Sequence, residues 1–191
     1  MRDTFQPGGR APAPPPLDLV QDFVNTEIPE WARDDLATPT QLDAWLRERG
    51  LLEADEAVDA EAFVAARELR TGLRSLALLN TFEALPDEVV RAGFRSALSV
   101  VSLRVELGED GTLLLEPFGK GGCRALGAIV AVVLEAQTSG SWRRMKACRK
   151  ESCAWLFFDS SRNCSSNWCS MSICGNRVKT TAYRSRRSVK P

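Results

Sequence analysis

Two cysteine pairs with the same internal spacing constrain this chain more than any other feature. Cys148-Arg-Lys-Glu-Ser-Cys153 and Cys169-Ser-Met-Ser-Ile-Cys174 are both C-x4-C, and fifteen residues separate them. Two thiolates on one tight turn, closed by a spacer onto two thiolates on another, are what a tetrahedral zinc site with no open position needs. Zinc is the default for four thiolates, and an iron–sulfur cluster is the alternative that spacing leaves open. Apart from residues 154–158 (AWLFF), the last fifty residues hold few large apolar side chains. A segment so polar needs a staple to fold. Buried thiols without metal are the plainer reading, and that reading suits Cys123, beside an apolar run, better than it suits the four. Cys164 could replace Cys169 in a C-x10-C arrangement, but this breaks the matched pairing and loses Trp168, so it is read as a non-ligand. The expectation is one structural zinc per chain, held by Cys148, Cys153, Cys169 and Cys174.

The compartment supports metal over disulfides. Residues 1–16 are polar and Pro-rich, without a secretory pattern, and the longest apolar stretch, residues 125–134, is too short to span a bilayer. A cytoplasmic chain without a membrane segment is expected, where thiols stay reduced. The 191 residues contain no histidine, which removes histidine triads, a three-histidine catalytic zinc and the usual acid–base group at neutral pH. With no nucleophile–base constellation in view, the chain is read as a non-enzyme.

Zero net charge hides a division. Residues 142–191 carry twelve Lys/Arg against Glu151 and Asp159, a balance of +10, and residues 1–141 carry −10. Opposed halves suggest two jobs. The expected organisation is a flexible Pro-rich arm over residues 1–16, a mainly helical domain over 17–140 and a zinc module over 141–191, with the halves separable near Gly140.

Periodicity fills in the fold. Leu17, Val20, Phe23 and Val24 share a helical face, and Thr38-Pro39 reads as an N-cap before Leu42, Trp45 and Leu46, ended by Gly50. A long helix over 59–79 turns Phe63, Ala66, Leu69, Leu73 and Leu76 inward, and a short one after Pro86 uses Val89, Val90 and Phe94. Residues 99–107 and 112–116 then read as a hairpin around Asp110-Gly111. Gly121-Gly122 breaks this region before an apolar helix over 125–137. The class is α+β, mainly α, closed by a small treble-clef-like finger and a basic helix.

That last helix is the candidate for nucleic acid. Beyond Cys174, helical spacing puts Arg177, Arg184 and Arg187 on one stripe, with Lys179 and Arg186 on a flank. Guanidinium groups so placed can bond phosphate oxygens or guanine edges. A solvated basic tail is the plainer reading.

Cys174-Gly175-Asn176-Arg177 with Lys179, Tyr183 and Arg184, and upstream Cys148, Cys153, Phe158, Asp159, Ser161, Arg162, Asn163, Trp168 and Cys169, resemble the CGNR zinc finger across nearly all of 146–187. The front half is similar to the ABATE domain through Leu19, residues 22–26 (DFVNT), Leu36, Thr38-Pro39 and residues 42–46 (LDAWL). The resemblance implies a stress-related bacterial transcription regulator, in which the four paired cysteines are the ligands and Arg177, Lys179 and Arg184 face DNA. It departs from the family at Ser166 and Asn167, where an arginine commonly precedes Trp-Cys, and at Thr180 and Thr181, which make the final helix less basic.

Two functions follow. In the first, the finger binds DNA while the acidic front domain binds a small molecule or protein partner, or holds a homodimer. In the second, the basic helix docks an acidic partner or the chain's own acidic domain.

Overall fold

The structure is a computed structural model that describes residues 6–82, 87–178 and 180. Five α-helices among them build the core. Helix α1 (Leu17–Val24) buries Leu17, Val20, Phe23 and Val24, the four residues of its apolar stripe. Helix α2 (Pro39–Glu48) begins in a capping box: the Thr38 hydroxyl accepts from the Gln41 backbone amide at 3.3 Å, and the Gln41 side-chain Oε1 accepts from the Thr38 backbone amide at 2.9 Å. Leu42, Trp45 and Leu46 point inward, and Gly50 stops the chain in the left-handed region at φ 66°.

Helices α3 (Ala60–Phe82) and α5 (Gly121–Thr138) form the centre. Their approach explains a departure from expectation. Gly121-Gly122 opens α5 rather than breaking the chain before it, because a Cβ on Gly122 would lie 2.5 Å from that of Ala62. The glycine is there for close helix packing. Glu56 completes this end: it accepts from the Gly121 amide at 2.8 Å and from Arg124 at 2.7 Å. The Arg124 hydrogen bond holds its carboxyl well below the usual range, at about 2.

Helix α4 (Glu88–Ser99) packs on α3 through Phe94, whose ring fills the space a Cβ on Gly72 would need. Val89, expected to help here, is 82% exposed, because the helix turns it away from α3. Strands β3 (Ser102–Leu107) and β4 (Leu113–Phe118) form the expected antiparallel hairpin, with Val105 opposite Leu115. Earlier, β1 (Glu27–Ile28) and β2 (Arg33–Asp34) make a short ribbon tied to α3. Buried Arg70 clamps Asp34 at 2.7 and 2.8 Å, and Arg74 donates to the Val24 and Glu27 carbonyls, both at 2.8 Å.

After the 3-10 turn Ser141–Arg144, strands β5 (Met145–Ala147) and β6 (Leu156–Phe158) pair antiparallel. Met145, Ala147 and Leu156 lie in the same buried cluster as the apolar faces of α1, α3 and α5. Near the end of α3, Asn80 donates to the Trp142 and Met145 carbonyls at 2.8 Å each, and Thr81 to the Ala147 carbonyl at 2.8 Å. Residues on both sides of the charge inversion near Gly140 therefore share one buried cluster.

The Pro-rich arm is anchored at points: Gln6, Pro7 and Ala13 are buried, while residues 8, 9, 11, 12 and 14–16 are exposed. Gln6 is buried, and its side-chain oxygen accepts from Gln21 at 3.0 Å and from the Trp155 indole at 3.3 Å. Composition hides this, because the arm is held by polar side chains meeting backbone groups instead of by an apolar core of its own. No helix among the described residues is long and apolar enough to cross a membrane.

Candidate metal centre

The four expected ligands converge. The sulfurs of Cys148, Cys153, Cys169 and Cys174 all lie within 4.8 Å of one another, and all four residues are buried. Cys153 and Cys169 stand 3.7 Å apart, Cys169 and Cys174 3.6 Å. Four sulfurs at a Zn–S distance of about 2.3 Å in a tetrahedron are separated by roughly 3.8 Å. The donor set fits zinc.

Each pair is set by its own backbone turn. Cys148 directly follows β5, and its amide donates to the Trp155 carbonyl at 2.9 Å. The chain then reverses, the Cys153 and Ala154 amides both donating to the Lys150 carbonyl at 2.8 and 3.0 Å. Ala154 sits at φ 45°, a left-handed step that returns the chain into β6. The second pair lies at a π-helical turn, Met171–Gly175, capped by Ser170, whose hydroxyl accepts from the Ile173 amide at 3.3 Å. The turn is closely packed at Gly175, where a Cβ would lie 2.4 Å from the Met171 sulfur and 3.1 Å from the Trp168 ring.

Electrostatics explain why this cluster calls for a cation. Hydrogen bonds from Cys153 and Cys169 pull the Cys148 thiol down to about 2, while the same contact with Cys148 pushes Cys153 up to about 12. Cys169 is also raised, chiefly by Cys148 and Cys153, and burial raises Cys174. One thiolate forms at the expense of its neighbours. A divalent ion reverses that logic and lets all four ionise. The wall around them is Ile28, Trp155 and Phe157, with Trp168 and Ile173 packed outside. Trp155 and Phe157 thus pack around the four cysteines, whereas Phe158 packs against the main core.

Cys164 lies outside the cluster. It stands at φ 47°, and its thiol donates to the Arg143 carbonyl at 3.6 Å. Its loop is fastened by a buried pair. Lys146 meets Asp159 at 3.1 Å, and Asp159 accepts from the Ser161 amide at 3.1 Å and from the Ser166 amide and hydroxyl at 2.8 Å. Burial works against the Asp159 carboxylate, but the hydrogen bonds from Ser161 and Ser166 prevail and hold its pKa below the usual range.

Two residues that frame the centre escaped sequence reasoning. Arg10 reaches across to donate to the Cys169, Phe158 and Trp168 carbonyls at 3.0, 3.2 and 3.2 Å, with its guanidinium 4.6 Å over the Phe157 ring. Asn25 ends α1 as its C-cap, its amide donating to the Gln21 carbonyl at 3.1 Å, and its side chain also exchanges two hydrogen bonds of 2.8 Å with the Leu156 backbone. Neither has a local signal, since each partner is more than a hundred residues away.

Of the expected nucleic-acid residues, Arg177 is described. It follows Cys174 by three positions, is 65% exposed, and has a guanidinium nitrogen 3.5 Å from Glu30. Lys179, Arg184, Arg186 and Arg187 lie outside the described residues.

A four-cysteine zinc knuckle docked on a mainly helical acidic domain defines the class: a zinc-finger protein with a built-in second domain. The family model of the CGNR zinc finger matches residues 144–187. The ABATE model, described as "putative stress-induced transcription regulator", matches residues 17–140. The chain belongs to the ABATE family and carries the CGNR finger behind that domain, and neither is an enzyme family. No curated protein matches it.

Proposed function

We propose that this chain is a DNA-binding transcription regulator whose finger meets the duplex through the basic segment after Cys174. The observation that carries the reading is Arg177, an exposed cation on the helical turn that leaves the last zinc ligand. The metal fixes the start of that helix, so Arg177 is presented by a rigid support. By sequence alone, helical spacing would put Arg184 and Arg187 on its stripe and Lys179 and Arg186 on another face; all four lie outside the described residues. The +10 balance of residues 142–191 supplies attraction to phosphate independent of sequence.

The test is a salt titration of the zinc-loaded protein on random duplex DNA. Affinity should fall with log salt on a slope of about −0.9 per phosphate contact. Arg184→Ala should flatten that slope by about one unit on every sequence. Binding that ignores salt sinks the reading.

A second reading has its own observation. Glu30, on the turn between β1 and β2, pairs with both Lys150 and Arg177. The acidic domain thus already engages the finger's cations, as an intramolecular docking of opposed charges requires. On this reading the contact with Glu30 competes with DNA for Arg177.

A further inference from the structure

A cleft of about 530 Å³ opens at the seam between the end of α3 and the first turn of the finger. One wall is Asn80 and Thr81, the other Arg143, Arg144 and Asn163, with Lys146 among its lining residues. The volume is that of a small-molecule site. Its chemistry is cationic, for among the described residues three Lys/Arg line it and no carboxylate does.

The three cations differ in what they have left to offer. Lys146 is 4% exposed and spends its hydrogens on Asp159, Cys164 and Ser166, so it forms a neutralised floor. Arg144 is held by Nη1, which donates to the Asp159 and Ser161 carbonyls at 2.8 and 2.9 Å; among the described residues its Nε and Nη2 remain for a ligand. Arg143 forms no hydrogen bond or ion pair from its side chain among the described residues. Arg143 and Arg144 are adjacent on the 3-10 turn and both line the cleft, so an anion bound there would offset their like charges. The carbonyl end of α5 nearby does not cancel this charge, since Ser139, Gly140 and Ser141 already donate to the Glu135, Ala136 and Gln137 carbonyls.

We infer that this cleft is a binding site for a small dianion, a phosphorylated or dicarboxylate metabolite, gripped by Arg143 and Arg144. Guanidinium forks suit both groups. A concave seam favours a small molecule over a duplex backbone, which needs an open track. The site deepens the regulator reading, because a ligand there touches the end of α3 and the turn leading into β5 at once. That seam is where a signal in the front domain can reach the finger.

Calorimetric titration of the full-length zinc-loaded protein with pyrophosphate and, separately, succinate tests the site. Zinc content is checked after each run. Saturable binding of one molecule per chain is expected for at least one probe, and the arm that binds identifies phosphoryl or carboxylate chemistry. Arg143→Ala should weaken it at least tenfold and Asn163→Ala more mildly, while Arg95→Ala, on α4, should leave it unchanged. No saturable binding of either probe, or binding indifferent to Arg143→Ala, overturns the site. So does loss of duplex affinity in Arg143→Ala with neither probe bound, which would make the seam a DNA contact. Anion binding without salt-dependent DNA binding would instead overturn the proposed function and leave the site standing.

Discussion

Arg10 donates through Nε to the carbonyl of Cys169 at 3.0 Å, so a residue at the front of the chain holds a zinc ligand 159 positions away. Its two other nitrogens take the carbonyls of Trp168 and Phe158. Three backbone acceptors would be stranded without it. Arg10→Ala should cost roughly 2 kcal/mol, the range for charged hydrogen bonds, and should speed zinc release to a colorimetric chelator. Arg10→Lys should not restore the parent rate, because an ammonium cannot reproduce the planar fork. A release rate unchanged in Arg10→Ala would show the arm to be ornamental to the metal.

The metal itself gives the next test. Elemental analysis should find one zinc per chain, lost in Cys153→Ser and kept in Cys164→Ser, since the Cys164 thiol points to the Arg143 carbonyl. Because zinc binds thiolates, lowering the pH should release it together with the uptake of protons, and raising the pH should not. Retention of full zinc by Cys153→Ser would remove that residue from the ligand set.

Much of this was legible in the chain, and the rest was hidden for one reason. Ligand pairs with four residues between them on tight turns, the Thr38-Pro39 cap and the stripe of α1 are local patterns, and each reads from a short window. Arg10, Asn25 and Lys146 have no such window, because their partners arrive only when distant strands dock. Gly122 misled in the same way. A glycine signals a break by local propensity, yet here it makes room for Ala62. Val89 fits an apolar helical stripe, but α4 turns it away from α3 and leaves it exposed.

Shared packing argues that the two halves unfold together. The Leu156 amide donates to Asn25, and Leu156 lies in the core cluster of α1, α3 and α5. Asn25→Ala strands that buried amide, whereas Gln21 still serves the Leu156 carbonyl at 3.1 Å. The expected loss is about 1–3 kcal/mol, the desolvation cost of one unpaired group. Helical circular dichroism and zinc release should shift to lower denaturant by the same amount. Zinc release moving alone, with helices unaffected, would mean that residues 17–140 fold independently, as the charge boundary by itself suggests.

Glu30 offers the sharpest test of how the acidic domain and the finger interact. Its carboxylate bonds Lys150 and stands 3.5 Å from Arg177, and burial of these groups is incomplete, with Arg177 65% exposed. An exposed pair contributes at most about 1 kcal/mol to folding, so Glu30→Gln should leave the melting temperature nearly unchanged. Its effect on DNA should be larger. Removing a negative charge beside the proposed contact lifts a repulsion with phosphate and releases Arg177 from a competitor. Duplex affinity should therefore rise by roughly three- to tenfold at low salt, with a steeper dependence on salt, because counterion release then counts one more contact. The gain should shrink toward 0.5 M salt as screening removes both the repulsion and the attraction. Glu30→Asp, which keeps the charge on a shorter stem, should bind DNA much as the parent does. Unchanged affinity in Glu30→Gln, measured on protein shown to hold its zinc, would mean that Arg177 does not meet phosphate, and would leave the contact with Glu30 as its principal role.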